Sequence, residues 1–221
     1  LFLGAGSVIH AFNDEQNINN MGGVKNKLPT TYFLMLIGTL ALTGFPLLSG
    51  FYSKDAIIEF AYLKDSSLGY YAASIGIFTA LLTSIYSWRL FFKTFHGDYN
   101  NRSIKIDNIH ESPMVMTIPL LILAIGSIFS GYFFKDLFIG FEKSYQFWNS
   151  SIFFLEPLSV EHPPKWFLYL TPFLVIISIP IAFYLFVKRK DLLPLIVDGN
   201  RPFYNFLKNK WYFDEIYELI F

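Results

Sequence analysis

The sequence contains no cysteine, and few of its residues carry charge. Its 221 residues include 17 basic and 17 acidic side chains, which cancel at neutral pH. Without cysteine, the chain cannot form a disulfide, ligate an iron–sulfur cluster through thiolates or supply a thiol nucleophile. Without a net positive charge it lacks the basic field that phosphate backbones require, so we expect no nucleic-acid partner.

Apolar residues dominate instead: 53% of the chain is hydrophobic and 20% is aromatic. A helix that crosses about 30 Å of hydrocarbon needs roughly 20 predominantly apolar residues. Four windows free of Asp, Glu, Lys and Arg meet this requirement, at about 30–53, 68–88, 112–134 and 166–187, and a shorter run at 1–12 predicts part of another span. None alternates with period two, so we predict an all-α, polytopic membrane protein that binds the lipid bilayer. The chain starts inside an apolar run, and we interpret it as a fragment.

The connections between the windows are polar, and their basic residues are unevenly divided. Successive spans alternate sides, which assigns nine lysines and arginines to one side: Lys25, Lys27, Arg89, Lys93, Arg102, Lys105, Lys188, Arg189 and Lys190. The other side has four, namely Lys64, Lys135, Lys143 and Lys165. The positive-inside rule places the richer side in the cytoplasm or, for an organelle, in the matrix. The longest connection, 135–165, ends in Pro163 and Pro164, and we expect it to run along the surface.

The last segment, 201–221, has a different pattern from the 1–200 membrane part. From Phe203 onward, apolar residues recur at helical spacing with polar residues between them. This predicts an amphipathic interfacial helix that lies along the membrane face or a partner. A helix packed on the protein's own loops is the alternative.

One predicted span contains residues that interrupt a helix. Pro46 has no backbone N–H to donate, and Gly44 and Gly50 loosen the helix on either side. We therefore predict a broken transmembrane helix. Breaks of this kind occur where the freed backbone groups line a polar cavity rather than lipid.

Lys54 and Asp55 follow this break and are the strongest candidates for chemistry. If the span ends near Ser53, Lys54 extends to the lipid headgroups. If the break carries Lys54 deeper, its ammonium is held inside the protein, where it can take up and release a proton as neighbouring charges change. Asp55 is about 100° away around a helix, so it need not pair with Lys54.

The remaining candidates have plausible structural roles. His10 could join a proton path or end a helix at the membrane surface. Thr83, with Thr79, Ser84 and Ser87, could line a water path, although small hydroxyl residues more often mediate helix packing. His96, His110 and His162 are expected in solvated loops. The sequence has no zinc, hydrolase or P-loop motif, and we expect no metal or cofactor in this chain.

Several of these segments together resemble a known family. Leu1 to His10, Met21-Gly22-Gly23, Gly50 to Asp55, Phe95-His96-Gly97 and Lys210 to Tyr217 are similar, in that order, to the C-terminal half of the antiporter-like membrane subunits of respiratory complex I. The resemblance covers the whole chain, and the last segment is specific to one subunit type.

The resemblance implies a proton-translocating subunit in which Lys54, with Asp55, ends a row of ionisable residues at the membrane midplane. It implies partners in the membrane arm, especially a neighbouring antiporter-like subunit, and it places NADH, FMN, iron–sulfur clusters and quinone in other subunits. We expect the bacterial inner membrane, with the mitochondrial inner membrane second. A subunit of a multisubunit sodium/proton antiporter is the alternative function, and a structural element without transport is a third.

Overall fold

The computed structural model describes residues 1–101, 104–138, 141–149, 151 and 163–221, and this part of the chain is helical without strands. It confirms the all-α prediction. The described residues form ten α-helices in order: α1 Phe2–Ala11, α2 Pro29–Thr43, α3 Ser49–Leu63, α4 Ser67–Phe95, α5 Met114–Phe138, α6 Phe141–Trp148, α7 Lys165–Phe183, α8 Leu192–Gly199, α9 Arg201–Lys208 and α10 Phe213–Ile220. A π-helical segment, Tyr184–Lys188, extends α7, and short 3-10 turns lie at Ile18–Asn20, Ile106–Asn108 and Lys210–Tyr212.

Within the described part of the chain, three helices are long and apolar enough to cross a membrane: α4, α5, and α7 with its π-helical extension. Many of their large apolar side chains are exposed, including Phe78 on α4, Ile122 and Phe133 on α5, and Phe173 on α7. These surfaces face outward without polar cover, as expected of helices in contact with lipid or other apolar helices. The chain is a multi-pass membrane protein.

The window at 30–53 forms two helices instead of one. Helix α2 ends at Thr43, and α3 begins at Ser49 and continues to Leu63, well beyond the apolar window. The predicted interruption is therefore present, and it places Lys54 in the second turn of a new helix rather than at the end of a span.

Most of the buried core lies at one end of the helix bundle. It combines residues of α1, the 21–28 loop, the end of α4 and the end of α7, with Phe12, Leu28, Phe91 and Phe95 among its fully buried side chains. At this end the Gly23 N–H donates to the His96 carbonyl at 3.4 Å, and Lys190 forms an ion pair with Asp98 at 3.4 Å. We call it the basic end, because Lys25, Lys27, Lys93 and Lys190 lie on its loops and helix ends.

The tail differs from the single amphipathic helix predicted for 201–221. Helices α9 and α10 are separated by a turn in which Lys210, Trp211 and Tyr212 all have positive φ. The Tyr212 N–H donates to the Asn209 carbonyl at 2.9 Å, which closes this turn and breaks the helix. Every residue from Arg201 to Phe221 is exposed, so the described structure shows no packing of the tail on the protein's own loops. Within the predicted surface excursion, 135–165, residues 139–140, 150 and 152–162, including His162, lie outside the described residues.

Candidate functional site

The break between α2 and α3 is a Schellman turn followed by a proline turn. Gly44 has φ +80°, a left-handed conformation that favours glycine. The Gly44 N–H donates to the Ala41 carbonyl and the Phe45 N–H to the Leu40 carbonyl, at 3.2 Å and 3.0 Å. These two bonds are the pattern that ends helices at a glycine. Pro46 then lies in the turn that leads to α3, where its missing N–H costs no hydrogen bond.

Glycines also bring α3 very close to its two neighbours. A Cβ atom on Gly50 would lie only 1.8 Å from the carbonyl oxygen of Ala41 in α2. On the other side, a Cβ atom on Gly131 of α5 would lie 2.5 Å from the ring of Tyr52 and 2.7 Å from the Cα atom of Ser49. The start of α3 is therefore held between α2 and α5, with backbone close to backbone. Gly50 was predicted to loosen the helix, and its observed role is this close approach.

Lys54 points back toward the break. A Cβ atom on Gly44 would lie 3.4 Å from Cδ of Lys54, so the lysine stem packs at the carboxyl end of α2. Its Nζ atom is buried and has no hydrogen-bond partner within the described residues. The carboxyl end of a helix carries a partial negative charge, which favours a nearby ammonium group.

The packing of α3 against α4 shows how deep Lys54 lies. A Cβ atom on Gly69 of α4 would contact the Ala61 carbonyl, and one on Gly76 would contact the Ile58 side chain. One helical turn further along this antiparallel pair, Lys54 comes level with Ala80, near the middle of α4. At 1.5 Å per residue this is about 20 Å from either end of α4. On this register Lys54 lies well away from both ends of α4, whereas its neighbour Asp55 shares a cavity with Lys135 and Asp136 near the end of α5.

Asp55 is also buried, but it faces a different space. Only 7% of its surface is exposed, and neither carboxylate oxygen has a hydrogen-bond partner in the described part of the chain. It lines a cavity of about 270 Å³ together with Tyr52, Glu59, Lys135 and Asp136. No ion pair between Asp55 and Lys54 occurs among the described residues, which agrees with their separation around the helix.

A larger cavity of about 590 Å³ adjoins this one, between α2, α3 and α5. Tyr52 and Lys135 line both cavities, and the Lys135 ammonium lies 5.4 Å above the Tyr52 ring. Four serines are among its lining residues: Ser49, Ser53, Ser127 and Ser130. Sequence reasoning missed Lys135, which it assigned to a loop. The apolar run before it continues into Leu137 and Phe138, and this continuation could have placed Lys135 inside the helix.

The two weaker candidates show no hydrogen bond or ion pair to Lys54 in the described structure. His10 is exposed in the last turn of α1. The Thr83 hydroxyl donates to the carbonyl of Thr79 in its own helix at 2.7 Å. Its neighbour Ser84 instead hydrogen-bonds to Ser178 and so joins α4 to α7. The part of the chain described here also contains no cluster of three acidic or histidine side chains suited to a metal ion.

Comparisons with known proteins agree with this architecture. Residues 1–83 match the family described as NADH:quinone oxidoreductase/Mrp antiporter, membrane region. The chain is 46% identical over 224 residues to NADH-ubiquinone oxidoreductase chain 5 of Phytophthora infestans, covering 98% of this chain and 33% of that protein. The corresponding protein of Dictyostelium citrinum is 45% identical over 222 residues, with 97% of this chain and 33% of that protein covered. For Marchantia polymorpha the identity is 42% over 229 residues, with 98% and 33% covered.

These relatives refine two expectations. The segment Lys210 to Tyr217 identifies the subunit type as subunit L, the equivalent of mitochondrial subunit 5, and the name chain 5 confirms it. The preference for a bacterial membrane gains no support, because the three relatives named here come from eukaryotes. The chain spans about a third of the length of the curated relatives that it matches. Residues 1–83 thus match the NADH:quinone oxidoreductase/Mrp antiporter membrane family, and nearly the whole chain is similar to part of NADH-ubiquinone oxidoreductase chain 5.

Proposed function

We propose that this chain is part of a membrane subunit of NADH:quinone oxidoreductase that translocates protons, with Lys54 and Asp55 as its proton relay. The observation that carries the proposal is the Lys54 ammonium, which is buried beside the helix break and has no hydrogen-bond partner among the described residues. A buried ammonium group without a partner is unfavourable in free energy. Ionisable groups inside membranes occur where ions or protons pass.

Lys54 and Asp55 have different roles in this proposal because their side chains face different spaces. Lys54 lies against the carboxyl end of α2, whose partial negative charge stabilises the protonated amine. Asp55 opens into the cavity that contains Glu59 and Lys135. A proton released by Lys54 would pass to the Asp55 carboxylate of the same helix, and it would leave through the cavity that Asp55 lines, on the side of the bundle opposite the basic end. The next proton would reach Lys54 from the basic end.

Electron transfer takes place elsewhere in this proposal. NADH, FMN, iron–sulfur clusters and quinone belong to other subunits, and neighbouring membrane-arm subunits, especially another antiporter-like one, are the partners. Charge changes that arise there would alter the balance between the protonated and neutral forms of Lys54. The eukaryotic relatives favour the mitochondrial inner membrane over the bacterial membrane that the sequence suggested first.

The test compares two lysines of the same helix in the reconstituted oxidoreductase. Lys54→Ala removes the buried amine, whereas Lys64→Ala removes an exposed one at the end of α3. We expect fewer protons pumped per NADH oxidised with Lys54→Ala and an unchanged ratio with Lys64→Ala. The measurement is the quenching of a pH-sensitive dye in proteoliposomes, alongside NADH oxidation. Full pumping by an assembled Lys54→Ala enzyme would overturn the proposal and would favour a purely structural element.

A sodium/proton antiporter subunit is the second candidate, because the matched family includes Mrp antiporters. The same lysine would then serve sodium-driven proton exchange in vesicles without NADH dehydrogenase activity. The oxidoreductase names of the relatives favour the first candidate. Loss of sodium-driven exchange on Lys54→Ala, with no dependence on NADH, would support the second.

A further inference from the structure

A third cavity lies at the basic end, away from Lys54. Its volume is about 200 Å³, and three segments enclose it: the Ile18–Asn20 turn with Met21, the end of α4 with the loop that follows, and the end of α7 with α8. The polar part of its lining includes Asn19, Lys93, His96, Asp98 and Lys190. Neither the relay nor the helix break uses this cavity.

Positive charge exceeds negative charge around this cavity. Lys93 donates a hydrogen bond to Asn19, and the charges of Arg89 and Lys190 both act on Lys93. Asp98 is the one carboxylate among the described lining residues, and it pairs with Lys190 at 3.4 Å, but its side chain is 92% exposed. An exposed ion pair of this length contributes little to the stability of the fold. A better-placed anion could therefore replace Asp98 as the partner of Lys190.

His96 adds a buried polar atom without a partner. Its Nδ1 is buried and accepts or donates no hydrogen bond within the described residues. Aromatic rings fix the imidazole in place, with centroids 5.7 Å away for Tyr32, 5.4 Å for Phe92 and 6.2 Å for Phe183. Because His96 lines the cavity and its ring is held by these neighbours, its imidazole is a further polar group available at the cavity wall.

The position of the cavity gives it both a polar and an apolar wall. Helix α4 ends at Phe95 and the α7 span ends at Lys188, so the cavity lies where the spans leave the membrane. Phe186 and Leu193 form part of its apolar wall. Basic pockets between helices on the cytoplasmic or matrix side are a known setting for anionic lipid headgroups.

We propose that this cavity binds a phosphate anion, held by the ammonium groups of Lys93 and Lys190 and by the imidazole of His96. The phosphate comes either from the headgroup of an anionic phospholipid or from free inorganic phosphate. Lysine–phosphate contacts are charge-assisted and stronger than neutral hydrogen bonds, so loss of one lysine should weaken binding about tenfold.

The test uses the full-length protein, purified from its membrane with the subunits that it retains. One arm applies a phosphatidic acid analogue with a photoreactive diazirine beside the headgroup and locates the cross-linked peptides by mass spectrometry. The other arm measures binding of radiolabelled orthophosphate in detergent free of phospholipid. Lys93→Gln and Lys190→Gln are compared with Lys105→Gln, which removes an exposed lysine of the same side that does not line the cavity.

Cross-links at the cavity that fall about tenfold in Lys93→Gln and Lys190→Gln, but not in Lys105→Gln, support a lipid headgroup. Orthophosphate binding with the same dependence on the variants supports free phosphate. The proposal is overturned if neither probe labels or binds the cavity, or if Lys105→Gln has as large an effect as the other two variants. Assembly of each variant is checked on native gels, and the single-lysine variants provide independent tests if one of them fails to assemble.

Discussion

Replacing Gly50 by alanine tests whether the close approach of α3 to α2 positions Lys54. The added Cβ atom would lie 1.8 Å from the Ala41 carbonyl oxygen, and normal contact begins near 3.4 Å. The two helices must therefore separate by about 1.5 Å, because a backbone oxygen cannot rotate away as a side chain can. Overpacking of this kind costs about 1–3 kcal/mol in a well-packed core. We expect Gly50→Ala to reach the upper part of that range.

The same substitution should also disturb the relay, because Gly50 and Lys54 are four residues apart and share one face of α3. Separation from α2 carries Lys54 away from Gly44, and a displacement of about 1 Å is enough to lower a positioned group's effectiveness at least about tenfold. The assay measures thermal unfolding and protons pumped per NADH in the reconstituted enzyme.

Gly126→Ala is the matched control, because a Cβ atom on this α5 glycine meets nothing within 4 Å. It should leave pumping unchanged and stabilise the helix by about 0.5–1 kcal/mol. Ala41→Gly should not rescue Gly50→Ala, since the clash involves a carbonyl rather than a side chain. If Gly50→Ala proves as stable and as active as Gly126→Ala, the helix contact does not position Lys54.

Two further predictions concern the basic end. Glu111 accepts hydrogen bonds from both the N–H and the hydroxyl of Thr31 in the first turn of α2, so Glu111→Ala should destabilise that turn by about 1–2 kcal/mol. Hydrogen exchange at the Thr31 amide should accelerate about tenfold, and no such change should follow from Glu218→Ala in the exposed tail. Burial lowers the pKa of His96, so the unfolded chain binds a proton there more readily than the folded chain. Thermal stability should fall as the pH drops below about 6.5, and His96→Phe should reduce this fall while His110→Phe, at an exposed site, should not. If thermal stability depends on pH in the same way in these two variants, His96 is not the source of the pH dependence.

Local chemistry explains why the helix break could be predicted. Gly44 and Pro46 act through their own backbone, one by accepting a positive φ and the other by lacking an N–H, and neither effect needs a tertiary contact. Charge-free windows likewise predict long apolar helices, because the thickness of the hydrocarbon layer sets their length. These signals are contained in short stretches of sequence.

Features that depend on packing between distant segments could not be predicted. The sequence predicts that Lys135 lies in a loop, because the apolar run before it is already long enough to cross a membrane. Helix α5 nevertheless continues and brings Lys135 to the Tyr52 ring. The role of Gly50 depends on Ala41 across the helix pair, and nothing in either local sequence specifies that contact. The tail was predicted as one helix from its periodicity, which takes no account of the left-handed turn at Trp211.

The placement of α3 between Gly131 and Ala41 has a mechanical consequence. A helix whose backbone touches a neighbour on two sides has no room to tilt, since tilting would drive it into one of them. Rotation about its axis would turn Gly50 away from the Ala41 carbonyl and bring a side chain into the contact, so a short slide along the axis remains, which is a shear rather than a hinge. An axial shift of α3 would change the distance between Lys54 and the carboxyl end of α2 while the side-by-side packing survives. Glycine contacts of this kind would thus limit the direction in which the helix that carries Lys54 can move, without preventing that movement.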